Sequence, residues 1–330
     1  MTAIDPHKFA GAFQRHRLGW TDALLLLAAI ATYLGASQYL ALATQVVIMI
    51  IFALSLDLAL GFAGIETLGH AAFFGTGAYA AALYALHFNA EPISGLLVGM
   101  VAAGALGLIA GGVILRTRGL TLVMLTLAIA AMLGQLATVA RAVTGGDDGL
   151  TGYAIQPVLG LFAFDLYGRT AYLYGLAALT VVFLLVRVLV NSPFGLTMRG
   201  IRDNALRMRF LGVKVTHRLV VWYAISGAVA GLAGALQAQV TGLVGIDSLS
   251  FMLSGNVLIV LILGGTGRLY GAFLGAALFV VVSDRAAAVD PHNWLFALGA
   301  LLILAVRFAP NGLIAALERL ARRLRQAGDP

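Results

Sequence analysis

The sequence predicts an all-α fold: a polytopic transmembrane helix bundle of about ten spans, with glycine-broken helices and a weak internal repeat. Three observations predict it. The 330 residues are 61% hydrophobic and 11% charged, whereas an ordinary soluble domain is about 25% charged, and the mean hydropathy is +0.97. The apolar runs are continuous and about 20 residues long, enough to cross the hydrocarbon of a bilayer as helix, whereas barrel strands would alternate in segments of about 10. The basic residues sit in clusters between the runs, which is the pattern that sets orientation in a membrane. The lipid bilayer is therefore the solvent for most of the surface. The net charge of +7 is a record of topology and not a nucleic-acid footprint.

In chain order, the apolar windows fall near 21–40, 43–62, 66–86, 93–114, 120–140, 171–190, 219–241, 252–265, 269–285 and 294–309. The stretch MTAIDPHKFAGAFQRHRLGW precedes the first window. No small-residue cleavage site follows a short apolar core, so the window reads as a retained span rather than a signal peptide. The third window is interrupted by Glu66 and His70, and the eighth is short. Lys8, Arg15 and Arg17 precede the first span, Arg116 and Arg118 separate the fourth and fifth, the segment 191–218 separates the sixth and seventh, and Arg319, Arg322, Arg323 and Arg325 follow the last. Ten spans put all four clusters on one side, which is then cytoplasmic, with both termini inside. The expected organisation is a cytoplasmic N-terminal segment 1–20, a transmembrane domain 21–310 that contains the cytoplasmic segment 191–218, and a basic cytoplasmic tail 311–330.

The other side carries few basic residues: Arg141, Arg169 and Arg285. Its longest loop, 141–170, holds TGGDDGLTG with Asp147 and Asp148 and is large enough to touch an external partner. GFAGIETLGHAAFFGTGA (61–78) is loosely echoed by GGTGRLYGAFLGAA (264–277). Duplicated halves with interrupted helices are common in transporters, where the breaks line the substrate path. Small residues also let helices pack closely, and both readings stand at this point.

The chain has no cysteine, which excludes a disulfide and any thiolate metal site. Its lysines, Lys8 and Lys214, both lack a preceding glycine, so there is no P-loop. No H-E-x-x-H or G-x-S-x-G motif occurs, and the histidines are scattered outside metal-ligand spacing. The chain is thus expected to be no enzyme and to hold no cofactor of its own. Ionisable groups inside spans are costly and point to function; here they are Asp57, Glu66, His70, Arg187 and Asp284. Arg187 and Asp284 lie near span ends and can snorkel, and Asp57 can cap or pair within the bundle. Glu66 and His70 are four apart, so on a helix they share a face. They lie among Gly61, Gly64 and Gly69, where an acid could meet an ammonium group and free N–H groups a carboxylate. Gly264, Gly265 and Gly267 form the matching break. These eight residues are the candidates for a translocation path, against the alternative of a polar contact satisfied within the bundle or a place at the cytoplasmic surface.

The segment NSPFGLTMRGIRDNALRMRFLGVKVTHR (191–218) concentrates charge in the middle of the chain. Pro193 and Gly195 make a turn, and the following residues predict one or two short helices ending at Gly212. Leu206, Phe210 and Leu211 share one side, and Arg202, Arg207 and Arg209 lie largely elsewhere. Such a helix can rest on anionic lipid or grip a cytoplasmic motor that the chain itself lacks.

Several phrases carry a family resemblance: LDLALGFAGIETLGHAAFFGTGAYAAAL (56–83), TRGLTLVMLTLA (117–128), TGGDDGLTG (144–152), SPFGLTMRGIRDNALRMRFLGVKVTHRLV (192–220), SGAVAGLAGALQA (226–238), LGGTGRLYGAFLGAAL (263–278) and RFAPNGL (307–313). In this order they resemble the membrane-spanning permease subunits of ABC importers for branched-chain amino acids, and they run through most of the chain. The resemblance implies a bacterial inner-membrane protein. It implies a second homologous permease, two cytoplasmic ATPase subunits that bind ATP and Mg, and a periplasmic solute-binding protein docking near Asp147 and Asp148. It also implies that Arg202, Asp203, Asn204, Ala205, Arg209, Leu211 and Gly212 form the segment that couples to the ATPase.

Two departures stand out. Ala205, Leu206, Arg207 and Met208 replace a phrase that is often Glu-Ala-Ala-like, and Glu66 stands where an apolar residue is usual. Relatives of this permease are associated with branched-chain and other amino acids, urea, amides and aromatic acids, so cargo stays open. The rival classes are an ATP-independent secondary transporter with Glu66 and His70 as a proton relay, and an intramembrane enzyme, for which the sequence offers no polar constellation.

Overall fold

Within hydrocarbon every backbone N–H and C=O must be satisfied inside the segment that carries it, so a long apolar run folds as helix. The computed structural model describes residues 30, 32–33, 39–158, 160, 162–163, 165, 168–308 and 312–315. Segment 1–20, most of the first window and the tail beyond 315 lie outside the described residues. The other windows are helices. They are α1 (Leu40–Leu56), prolonged by a π turn (Asp57–Phe62), then α2 (Ala71–His87), α3 (Pro92–Ile114), α4 (Leu120–Val139) and α5 (Arg169–Asn191). After α6 (Pro193–Phe210), the 191–218 segment's helix, come α7 (Val215–Thr241), α8 (Phe251–Gly264), α9 (Leu269–Val289) and α10 (Trp294–Phe308). Six of these, α1 with its π turn, α3, α4, α5, α7 and α9, are long and apolar enough to cross a membrane. The protein is a multi-pass helical membrane bundle.

Local chemistry sets the ends. Pro92 starts α3, where its missing N–H is no loss. Ser192 and Ser250 cap α6 and α8 by accepting from Gly195 N and Leu253 N, each at 3.2 Å. Gly242, at φ +66°, ends α7. Packing relies on small residues, as expected where lipid removes the hydrophobic drive between helices. α7 lies so close to α2 and α3 that a Cβ on Gly77, Gly99 or Gly231 would overlap the facing backbone or an alanine methyl. α1 runs through the middle: 78% of its span window is buried, against 22% for α4.

Chain parity gives the bundle two unlike ends. The basic end gathers Arg116, Arg118, α6 and Lys214. The opposite end carries the loop after α4 and the Gly242–Ser250 connection. These two are joined by a bridge between Leu150 and Val244 and by the Tyr153 hydroxyl, which donates to Ala238 O at 2.8 Å. Burial pushes the Tyr153 phenol above its usual range.

Candidate functional site

At the basic end α1 widens. Asp57–Phe62 is π-helical, and Ala63–His70 then runs without regular helix up to Ala71. Carbonyls around this turn are taken by side chains of other elements. Trp222 Nε1 on α7 donates to Leu58 O at 2.6 Å, Ser226 Oγ donates to Ser55 O at 2.6 Å, and the Arg202 guanidinium on α6 donates to Gly61 O. From the α8–α9 break, Gly267 N donates to Asp57 Oδ1 at 2.6 Å. Asp57 is fully buried, and its Oδ2 has no partner among the described residues. A Cβ on Gly61 would overlap the Asp57 carboxylate and approach Gly267 N. Gly64 (φ +69°) and Gly267 (φ +74°) flank the Arg202 side chain from two sides. Gly264 abuts the Gly271 backbone, and Gly265, at φ +107°, meets Gly312. The two glycine breaks, far apart in sequence, thus meet as one socket under α6.

The Ala63–His70 segment leads from this socket into the bundle. Gly69 sits against the Thr126 carbonyl of α4, Leu68 N donates to Thr126 Oγ1 at 3.3 Å, and Ala71 N donates to Ser254 Oγ at 2.9 Å. His70 is fully buried, with Nε2 2.9 Å from Ser55 Oγ. The Ser55 hydroxyl proton goes to Phe52 O at 2.6 Å, so His70 donates through Nε2–H. Its Nδ1 has no partner among the described residues. Phe52 stacks on the imidazole at 5.7 Å and Phe73 meets it edge-on at 5.5 Å. The expected shared helical face of Glu66 and His70 is corrected here. The segment is not helical: Glu66 is exposed at the basic end while His70 is buried deeper, and a proton relay between them loses its geometry.

α6 is two helices joined at a kink. Asn204 is extended (φ −158°, ψ 92°), and its Oδ1 accepts from Arg207 N at 2.9 Å, capping the second piece. Gly212, at φ +82°, closes it, with Gly212 N donating to Arg209 O at 2.9 Å. The bundle side is held by Arg202 in the socket and by Arg199, 5.1 Å over the Phe62 ring. On the outer side Leu206, Phe210 and Leu211 are 61%, 83% and 71% exposed. Asp203, Asn204 and Arg209 are exposed too, and Ala205 is half-buried. Of the seven coupling candidates, Arg202, itself exposed, sends its guanidinium inward to Gly61 O, and most of the others face out.

A cavity of about 550 Å³ opens at the opposite end, between α1, α2, α7, α8 and α9. Ile48, Met49, Phe52, Leu253 and Phe279 supply apolar wall, and Gln45, Asp247, Ser283 and Asp284 supply polar groups. None of the glycines, Glu66 or His70 proposed for a path lines it. Phe52 stands between it and His70. A smaller cavity, about 260 Å³, lies at the basic end, and there Gly64 and Glu66 face Arg118, Arg202 and Asp203. Sequence reasoning missed Gln45, Asp247 and Ser283 and read Asp284 as snorkelling. The signal available was that all four are polar residues near the same end of the bundle. On the loop after α4, Asp147 pairs with Arg141 at 3.4 Å, both well exposed, and Asp148 is exposed.

A family model described as "Branched-chain amino acid transport system / permease component" matches residues 38–306. The chain is 30% identical, over 318 residues, to the high-affinity branched-chain amino acid transport system permease protein LivM of Escherichia coli (strain K12), covering 88% of this chain and 73% of that one. The LivM of Salmonella typhimurium gives the same figures, 30% over 318 residues. The autoinducer 2 import system permease protein LsrC of Photorhabdus laumondii is 26% identical over 149 residues, 42% of this chain and 44% of that one. No solved structure matches.

Proposed function

This chain belongs to the permease family of branched-chain amino acid transport systems, and on that premise we propose that it is the membrane-spanning subunit of a bacterial ABC importer for branched-chain or related hydrophobic amino acids. It works beside a second homologous permease. Two ATPase subunits hold ATP and Mg, and one of them seats on α6, so the basic end is cytoplasmic. A solute-binding protein delivers cargo to the opposite, periplasmic face near Asp147 and Asp148. The segments 1–20 and 311–330 are cytoplasmic in this reading.

The observation that carries it is the two-sidedness of α6. Its outer side offers Leu206, Phe210 and Leu211 to water, which a soluble partner can bury. Its inner side is fastened through Arg202 to the breaks of α1 and of α8–α9. Closure of the ATPases would move α6, and α6 would move the helices that also wall the large cavity. Alternating access then needs only two arrangements of these bodies. The apolar wall of that cavity suits a branched aliphatic side chain, and its polar groups suit an amino acid's charged ends. Urea, amides and aromatic acids are the cargo alternatives.

The test is leucine uptake into proteoliposomes holding the full complex, with binding protein outside and ATP inside. ATP-dependent uptake is expected. ATP hydrolysis that responds to loaded binding protein without leucine uptake would retain the importer and reject the cargo. Solute flux without ATPases would reject the importer.

A further inference from the structure

We propose that the basic-end cavity is a second binding site, for a zwitterionic amino acid with an apolar side chain, and that its occupation from the cytoplasm restrains α6. The inference rests on the importer reading above.

The cavity has a two-part lining. Its floor is apolar, with Leu115, Leu122, Ile201 and Leu219. Its rim carries two acids, Glu66 and Asp203, and two bases, Arg118 and Arg202. Arg202 is engaged with Gly61 O. Glu66, Asp203 and Arg118 make no ion pair or side-chain hydrogen bond among the described residues. Opposite charges brought into contact attract. Here they are held on separate elements: Glu66 on the Ala63–His70 segment, Arg118 on the α3–α4 turn and Asp203 on α6. A ligand with an ammonium at one end and a carboxylate at the other satisfies both signs at once. The carboxylate has a further partner, because α4 starts at this rim, behind Gly119, with no side-chain cap; Leu122 N and Val123 N donate to Gly119 O, which leaves the N–H groups of Leu120 and Thr121 at the helix start.

Size agrees. Pockets for drug-sized ligands run about 300–1,000 Å³, and about 260 Å³ suits one small metabolite. The apolar floor selects against glycine-like or strongly polar molecules. The walls belong to two parts, α6 (Ile201–Ala205) with the Ala63–Glu66 stretch it is fastened to, and the α3–α4 turn (Leu115–Leu122) opposite. A ligand between them braces the coupling helix in one position. Import would slow as its own product accumulates inside.

Binding is tested on the assembled complex in lipid nanodiscs, without binding protein or nucleotide, with radiolabelled leucine. Saturable binding is expected. Unlabelled isoleucine should compete, whereas 3-methylbutylamine, which lacks the carboxylate, and 4-methylpentanoate, which lacks the ammonium, should compete at least tenfold more weakly. Glu66→Gln and Arg118→Gln should each weaken leucine binding tenfold or more. In proteoliposomes preloaded with leucine, initial uptake should fall as lumenal leucine rises. Each variant, scaled to its own rate with an empty lumen, should need at least tenfold more to be slowed equally. Absent binding, binding unchanged in both variants, or equal competition by the singly charged analogues overturns the site. Intact uptake with no binding rejects this site alone. Absent uptake rejects the leucine importer, and the binding assay still judges the cavity.

Discussion

The socket at the basic end and the cavity at the opposite end are made from the same helices by opposite rules. α1 gives Asp57 and Gly61 to the socket and Gln45, Ile48 and Phe52 to the cavity. The α8–α9 pair gives Gly264 to Gly267 to one and Leu253, Phe279 and Asp284 to the other. In the socket, backbone meets backbone, short hydrogen bonds cross between elements, and a single Cβ has no room. In the cavity about 550 Å³ stays open behind apolar walls. Tightness is concentrated where α6 is fastened, and slack is kept where a solute would sit. A push on α6 therefore reaches the cavity through whole helices and is not absorbed at the joint.

Substitutions can break this contrast. Gly61→Val should have the largest effect, because overpacking costs roughly 1–3 kcal/mol and here it also displaces the Asp57–Gly267 bond. A large drop in Tm of the purified protein is expected. Gly112→Ala on α3, where a Cβ meets nothing within 4 Å, is the control and should hold or raise Tm. Equal Tm values for the two would show that the socket is not tight. Next comes Asp57→Leu, which leaves the half-buried Gly267 N–H without its acceptor at roughly 1–3 kcal/mol. Asp57→Asn keeps an acceptor oxygen and should cost less. Thermal scanning of the pair separates lost bonding from lost charge.

Phe210→Ala with Leu211→Ala should leave Tm unchanged while ATPase capture weakens tenfold or more, about 1.4 kcal/mol. If capture is unchanged, α6 does not dock through its apolar side. Asp284→Asn should move stability least, within about 0.5 kcal/mol for a site outside the packed core. Its expected readout is a raised half-saturating solute concentration for uptake, and an unchanged value would remove Asp284 from the solute's surroundings.

The span pattern was legible in sequence because the hydrophobic period and its interruptions are local properties. Windows such as 93–114 and 120–140 differ from α3 and α4 by a residue at most at each end. The helix start near Pro193 and the Gly212 stop were legible for the same reason, since caps and glycines act within a few residues. The expected turn at Pro193–Gly195 is instead the first turn of α6, capped by Ser192, and the break at Asn204 was left open between one helix and two. The Glu66–His70 pair failed because four-residue spacing has meaning only on a helix, and tertiary contacts to Thr126, Ser254 and Ser55 hold that stretch in an irregular, non-helical path. The two glycine breaks were visible one at a time. Their meeting through Asp57 and Arg202 was not, because no local pattern records which distant turns will touch. The large cavity was hidden more thoroughly, since its polar residues come from several helices and each alone looks like an ordinary span end.

The π turn of α1 has a consequence for sequence change. A π-helix holds one more residue per turn than its α neighbours, so Asp57–Phe62 takes up an extra residue without changing the phase of the helix before it. Deleting one residue among Leu58, Ala59 and Leu60 would let the ladder revert to α. Five α residues at about 100° each turn the chain about as far as six π residues at about 80°, so Gln45, Ile48 and Phe52 would keep facing the cavity. What would be lost is the wide turn whose Leu58 and Gly61 carbonyls accept from Trp222 and Arg202. A one-residue change of length there would therefore act on the socket alone and leave the far wall of the transporter in phase.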